Sequence, residues 1–185
     1  LIRGIRKASD FLMGLQLTGA AKESSLANMQ VRLPAGVIGG GLTAIDTCTE
    51  ALAYYPVQVE KVLHRYESLC TIHGEAEVRK MYDAEEIIIL DEFLDHGRQI
   101  QAERARAVAA DEVPNFLPLL ESWGGVTMFY RKGIEDSPAY RQNAEEITEA
   151  LDEGIRLAPG MSPLEAIEDQ HGHLSAVKFE KLELK

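Results

Sequence analysis

Three consecutive glycines and a small residue three positions on, within Gly39-Gly40-Gly41-Leu42-Thr43-Ala44, are the part of this chain best suited to holding an anion. The spacing fits G-x-G-x-x-A. In that pattern Gly39 lets the chain turn tightly out of a strand, and Gly41 omits a side chain where a pyrophosphate must approach the backbone. Ala44 lets the following helix pack closely on the strand. The free N–H groups of the helix start would face the phosphates, where the helix dipole favours negative charge. The competing account is a glycine turn that serves packing alone. A second candidate is Arg131-Lys132, which closes the β-rich run Val126 to Tyr130. An acidic residue at such a strand end would bind the ribose hydroxyls of NAD or FAD, whereas a cation suits the 2′-phosphate of NADP(H). That makes FAD in the glycine turn the weaker reading. A solvated turn with a basic pair is the competing account.

Other chemistry-bearing residues are less well placed. His171-Gly172-His173 has the look of a metal pair, but no further His or Cys is near in sequence, and a hairpin turn explains it more simply. His64, His73 and His96 show no H-x-x-x-H spacing and read as surface or boundary residues. Glu85-Glu86, Asp91-Glu92 and Glu145-Glu146 lack the Glu-x-x-His pairing of a di-iron bundle and read as solvated faces. Asp46 reads as a first-turn acid favoured by the dipole. No residue stands out as catalytic, and no metal site is expected.

A net charge of −11 argues against general nucleic-acid or acidic-membrane binding, both of which need basic faces. No apolar run approaches the roughly 20 residues that span a bilayer. Cys48 and Cys70 match no zinc or redox spacing, so a reduced, cytoplasmic setting is expected. The chain begins at Leu1 and closes on the strand-like Val177 to Leu184, the pattern expected of a domain taken from a longer protein.

The elements that would position these residues follow from periodicity. Ile5, Ala8, Phe11, Leu12 and Leu15 predict a helix over 3–17, and Thr18 to Gln30 a connector. Val31 to Ile38 leads into the glycines as a strand whose core is Gly36 to Ile38, because Pro34 is tolerated only near a strand start. Ala44, Ile45, Cys48, Ala51 and Leu52 predict a helix packed on a sheet, ended or kinked at Pro56. From Val57 to about Ala110 the pattern is helical, with Val59, Val62, Leu63 and Tyr66 as one stripe and Ile87, Leu90, Leu94 and Ile100 as another. A turn at Trp123-Gly124-Gly125 releases the strand Val126 to Tyr130. Asn143 and Glu146 predict a capped helix that stops at Gly154. Ile155 to Ala158 is then a short strand, and Leu164 to Ile167 with Leu174 to Leu184 a hairpin. The fold class is therefore α/β, with a Rossmann-like parallel sheet, an antiparallel β-hairpin, and a helical insertion over residues 56–121 in the first crossover.

VIGGGLTAID, the later VTMFYRKGIEDSPA, the helix NAEEITEALDEGI and the closing SPLEAIEDQHGHLSAVKFEKLEL occur in that order. Together they resemble the NADP(H)-binding domain of the FAD-dependent pyridine nucleotide-disulphide oxidoreductases, most closely the glutamate synthase small-subunit group. The resemblance covers about two thirds of the chain. It implies that Gly39, Gly40, Gly41 and Thr43 line the pyrophosphate, with Ala44 behind them, and that Arg131 and Lys132 meet the 2′-phosphate. It also implies an FAD-binding domain outside these 185 residues, in the same polypeptide, that takes hydride from NADPH and passes electrons to a partner subunit, an iron–sulfur protein or a substrate. On this reading residues 1–185 are one nucleotide-binding domain without turnover of its own. Leu42 departs from the family's usual asparagine and Lys132 from its second arginine. Residues 56–121 have no ordinary counterpart there. The alternative expectation is a degenerate Rossmann scaffold that serves as a protein-interaction module.

Overall fold

The computed structural model describes residues 2–183 of the 185. Strands β1 (Ala35–Ile38) and β2 (Val126–Tyr130) pair in parallel, with Val37 opposite Met128, and β2 pairs in parallel with β3 (Arg156–Pro159). The sheet order is β1-β2-β3, so β2 is central. Its Val126 and Met128, which share one face, are almost wholly buried, while Thr127 and Phe129 on the other face are half-buried.

Helix α1 (Ala8–Thr18) buries Phe11 and Leu15 and stops at Gly19, whose φ of 60° breaks the helical path. Helix α2 (Leu42–His73) starts directly from the glycine turn and runs for 32 residues, which at 1.5 Å per residue is about 48 Å. Its first half lays Ala44, Ile45, Cys48, Ala51 and Leu52 into the main core, as their spacing predicts. Pro56 does not end it. The proline is buried within α2, flanked by Tyr54, Tyr55, Gln58 and Val59, all nearly inaccessible. An internal proline costs about 3 kcal/mol through its missing N–H and its ring clash. Burial of both flanking turns offsets that cost, so the boundary expected at residue 56 falls in mid-helix.

The second half of α2 leaves the sheet and packs along α4 (Ala84–Ala110), connected through α3 (Glu75–Arg79). Leu63, Tyr66, Val78, Leu90 and Leu94 make a second, smaller core there. The helix α4 begins with a reciprocal cap: Asp83 Oδ1 accepts from the Glu85 and Glu86 amides, and Glu86 Oε2 accepts from the Asp83 amide. Gly97 is the point of closest approach, where an added β-carbon would stand 2.8 Å from the Val59 carbonyl and 3.0 Å from Leu63 Cβ. The half-buried His96 stacks on Trp123 with centroids 3.8 Å apart, and its Nδ1 lies 2.6 Å from the hydroxyl of buried Tyr55.

Helix α5 (Leu117–Ser122) returns the chain to β2 through Gly124 and Gly125, both at positive φ. After β2, a single 3-10 turn and the short α6 (Pro138–Gln142) lead to α7 (Ala144–Asp152), which buries Ile147 and Ala150. Asn143 does not cap the α7 backbone; its Nδ2 donates to Glu146 Oε1 instead. Gly154 at φ +97° turns the chain into β3.

Strands β4 (Met161–Glu168) and β5 (Leu174–Lys181) form a separate antiparallel hairpin. No residue of either strand is fully buried, and Val177 and Phe179 alternate with exposed neighbours. The hairpin starts three residues before the predicted Leu164; Leu184, the predicted end, lies outside the described residues. The fold is mixed α/β, and among the described residues no helix is long and apolar enough to cross a membrane.

Candidate functional site

The glycine turn sits between the end of β1 and the start of α2, and its three glycines meet different surroundings. Gly39 donates its N–H to Phe129 O at 3.0 Å, continuing the β1–β2 ladder. A β-carbon on Gly39 would lie 3.1 Å from Ala44 Cβ, so Gly39 and Ala44 together set how closely α2 approaches β1. A β-carbon on Gly40 would strike the ring of Tyr130 at 2.4–2.8 Å. The Gly40 carbonyl accepts from the Ala139 amide at 3.0 Å, which ties the turn to the first turn of α6. Gly41 has nothing within 4 Å of where a β-carbon would stand.

Gly41 is the N-cap of α2 and supplies no side-chain cap. The Ala44 amide closes on Gly41 O at 2.9 Å, but among the described residues the amides of Gly40, Gly41, Leu42 and Thr43 find no acceptor. Four successive free donors at the N-terminus of a long helix form an anion-seeking surface. The first turn of α2 carries no acidic residue, so nothing there answers those donors. Asp46 is exposed and lies beyond the first turn rather than within it. Thr43 is exposed beside the free amides. Leu42 packs against the main core, which gives its apolar side chain a structural reason to stand where a polar residue was anticipated.

A cleft of about 360 Å³ opens at the carboxyl ends of β1 and β2, where parallel sheets generally receive ligands. Its lining joins Gly39 with Phe129, Tyr130 and Arg131 from the β2 end and Met161, Ser162 and Pro163 from β4. Arg131 and Gly39, the first glycine of the turn, thus share one cleft although they are 92 residues apart in sequence. The exposed Arg131 and Lys132 side chains make no ion pair among the described residues. Lys132 does not line the cleft; its carbonyl accepts from the Gly160 amide at 3.3 Å.

Sequence reasoning missed Tyr130, Phe129 and the β4 wall. Phe129 stacks on Phe179 of β5 with centroids 4.5 Å apart, which seats the hairpin beside the cleft. The Phe-Tyr-Arg run was visible, but no local signal says that β4 folds back over the end of β2. The remaining candidates stay apart from the cleft. His171 and His173 lie at the β4–β5 turn, and no group of three His, Cys, Asp or Glu side chains able to hold a metal ion occurs among the described residues. Cys48 is fully buried, and burial pushes its thiol up to about 12, so it is inert packing.

Fold and cleft together define a mixed α/β protein whose first parallel strand ends on a glycine turn. No family model matches the chain. It is 36% identical over 177 residues to an uncharacterized protein of Rickettsia prowazekii (strain Madrid E). That alignment covers 96% of this chain and 22% of the relative, so the chain spans under a quarter of the length of the protein it matches.

Proposed function

We propose that this chain is an NADP(H)-binding domain, built on a Rossmann-like sheet, of an FAD-dependent oxidoreductase. The observations that carry the reading are a glycine turn whose helix-start amides are unanswered and whose Gly41 is open, and a cleft that Gly39 of that turn lines together with the unpaired Arg131. Gly40, Gly41, Leu42 and Thr43 would give their amides to the pyrophosphate, Gly39 and Ala44 would keep the turn tight, and Arg131 would take the 2′-phosphate. Lys132 adds positive potential from just outside the cleft. The free amides and Arg131 suit such a group in charge, and the open space at Gly41 lets a phosphate approach the backbone. The bound nucleotide would supply hydride, and an FAD domain elsewhere in the longer polypeptide would accept it. In this reading the described residues bind and orient; none performs the chemistry.

Calorimetric titration with NADPH and NADH tests it. The chain should prefer NADPH, and Arg131→Ala should weaken NADPH by roughly 10- to 100-fold, the worth of one charge-assisted pair, while leaving NADH unchanged. An Arg131→Ala variant that keeps the preference would overturn the assignment of the 2′-phosphate. A response to neither nucleotide would favour an interaction module, for which the exposed Ile72, Met81 and Ile88 on α2, the α3–α4 link and α4 supply apolar surface.

A further inference from the structure

The β4–β5 hairpin is thinly attached for an element that walls the cleft. At its base, Phe179 stacks on Phe129, and the Gly160 and Leu182 amides bond to the Lys132 and Gly160 carbonyls. Along its length no residue is fully buried. Such an element opens easily unless its far end is also held.

The far end is held by the helical hairpin. Glu85, in the first turn of α4 and 24% exposed, places one carboxylate oxygen against His173 Nε2 and the other 3.9 Å from His171 Nδ1 and from Arg3 Nη1. The turn is pre-shaped to present both imidazoles, because Asp169 Oδ1 accepts from the His171 and His173 amides at 2.8 and 2.9 Å. Arg3 stitches the same spot through its backbone, donating to Gly172 O at 3.0 Å and accepting from the Leu174 amide at 2.8 Å. The α4 start, the hairpin tip and the N-terminal segment therefore meet on one carboxylate.

We propose that the α2–α4 insertion is a strut whose Glu85 latches the tip of the β4–β5 hairpin and so keeps Met161, Ser162 and Pro163 in place as the wall of the nucleotide cleft. Glu85 is a positioning residue in this scheme: it acts on the cleft through the hairpin and touches no ligand. The strut gives the helical insertion a task that needs no partner protein. Its consequence for binding rests on the NADP(H) reading, but the latch itself does not.

Hydrogen exchange on the whole 185-residue chain without nucleotide tests the latch. In Glu85→Ala, β4 and β5 amides should exchange faster by about tenfold, as expected for a charge-assisted contact that is partly exposed, while β1, β2 and β3 amides keep their rates. Glu85→Gln, which still accepts from His173, should recover most of the protection. His173→Ala should loosen the same strands, and combining it with Glu85→Ala should add little, since both remove one contact. Unchanged hairpin exchange, or acceleration spread evenly over the chain, would overturn the strut. Titrating Glu85→Ala with NADPH then separates the two ideas. Weakened binding extends the strut to the nucleotide; hairpin loosening without any wild-type response to NADPH would sink the nucleotide reading and leave the latch standing.

Discussion

Replacing Gly41 by alanine separates binding from folding, because the three glycines of the turn have such different neighbours. The backbone at Gly41 has φ −97° and ψ 171°, which alanine adopts freely, and its new methyl group would meet nothing within 4 Å. Alanine is a poorer N-cap than glycine by about 0.5–1 kcal/mol, which in a chain of this size lowers Tm by only about 1–4 °C. The same methyl would occupy space beside the free amides of Gly40 to Thr43. If it keeps a phosphate from two of them, at about 1.5–3 kcal/mol per bond to a charged acceptor, binding loses about 3–6 kcal/mol. That is a Kd raised roughly a hundredfold to ten-thousandfold. Calorimetry with NADPH beside a thermal melt reads both quantities. Gly39→Ala is the contrast: its methyl would crowd Ala44 Cβ at 3.1 Å, so its first effect should be on stability. A Gly41→Ala protein that binds NADPH as tightly as wild type would refute the placing of the phosphates against this turn.

Gly97→Ala would drive a methyl into the Val59 carbonyl, and the overpacking should cost about 1–3 kcal/mol, or about 2–12 °C in Tm; a wild-type melt would mean that α2 and α4 do not approach as described. His96 is held below its ordinary value of 6.5 by burial against Trp123, only partly opposed by Glu92 and Asp95, so the folded state binds its proton more weakly than the unfolded chain does. Stability present above pH 6.5 should therefore be lost as the pH falls from 6.5 through the lower folded-state value, and urea melts of wild type against His96→Gln should show the variant with the flatter decline over that window.

Much of the local structure was written in the spacing of apolar residues. Ala44, Ile45, Cys48, Ala51 and Leu52 announced the buried face of α2, and Leu90, Leu94 and Ile100 that of α4, because a helix repeats its face every 3.6 residues whatever it packs on. The packing roles of Gly39 and Ala44 were also legible, since strand, turn and helix are contiguous and their contact is local. Pro56 misled because its cost is intrinsic while the burial that offsets it comes from residues far along the chain. Tertiary structure alone made β2 the central strand, brought Arg131 to the cleft of the glycine turn, folded Met161 to Pro163 over it and joined Glu85 to His173. Those contacts span tens of residues, and they depend on strand order, register and the positive φ of Gly160, which periodicity does not encode.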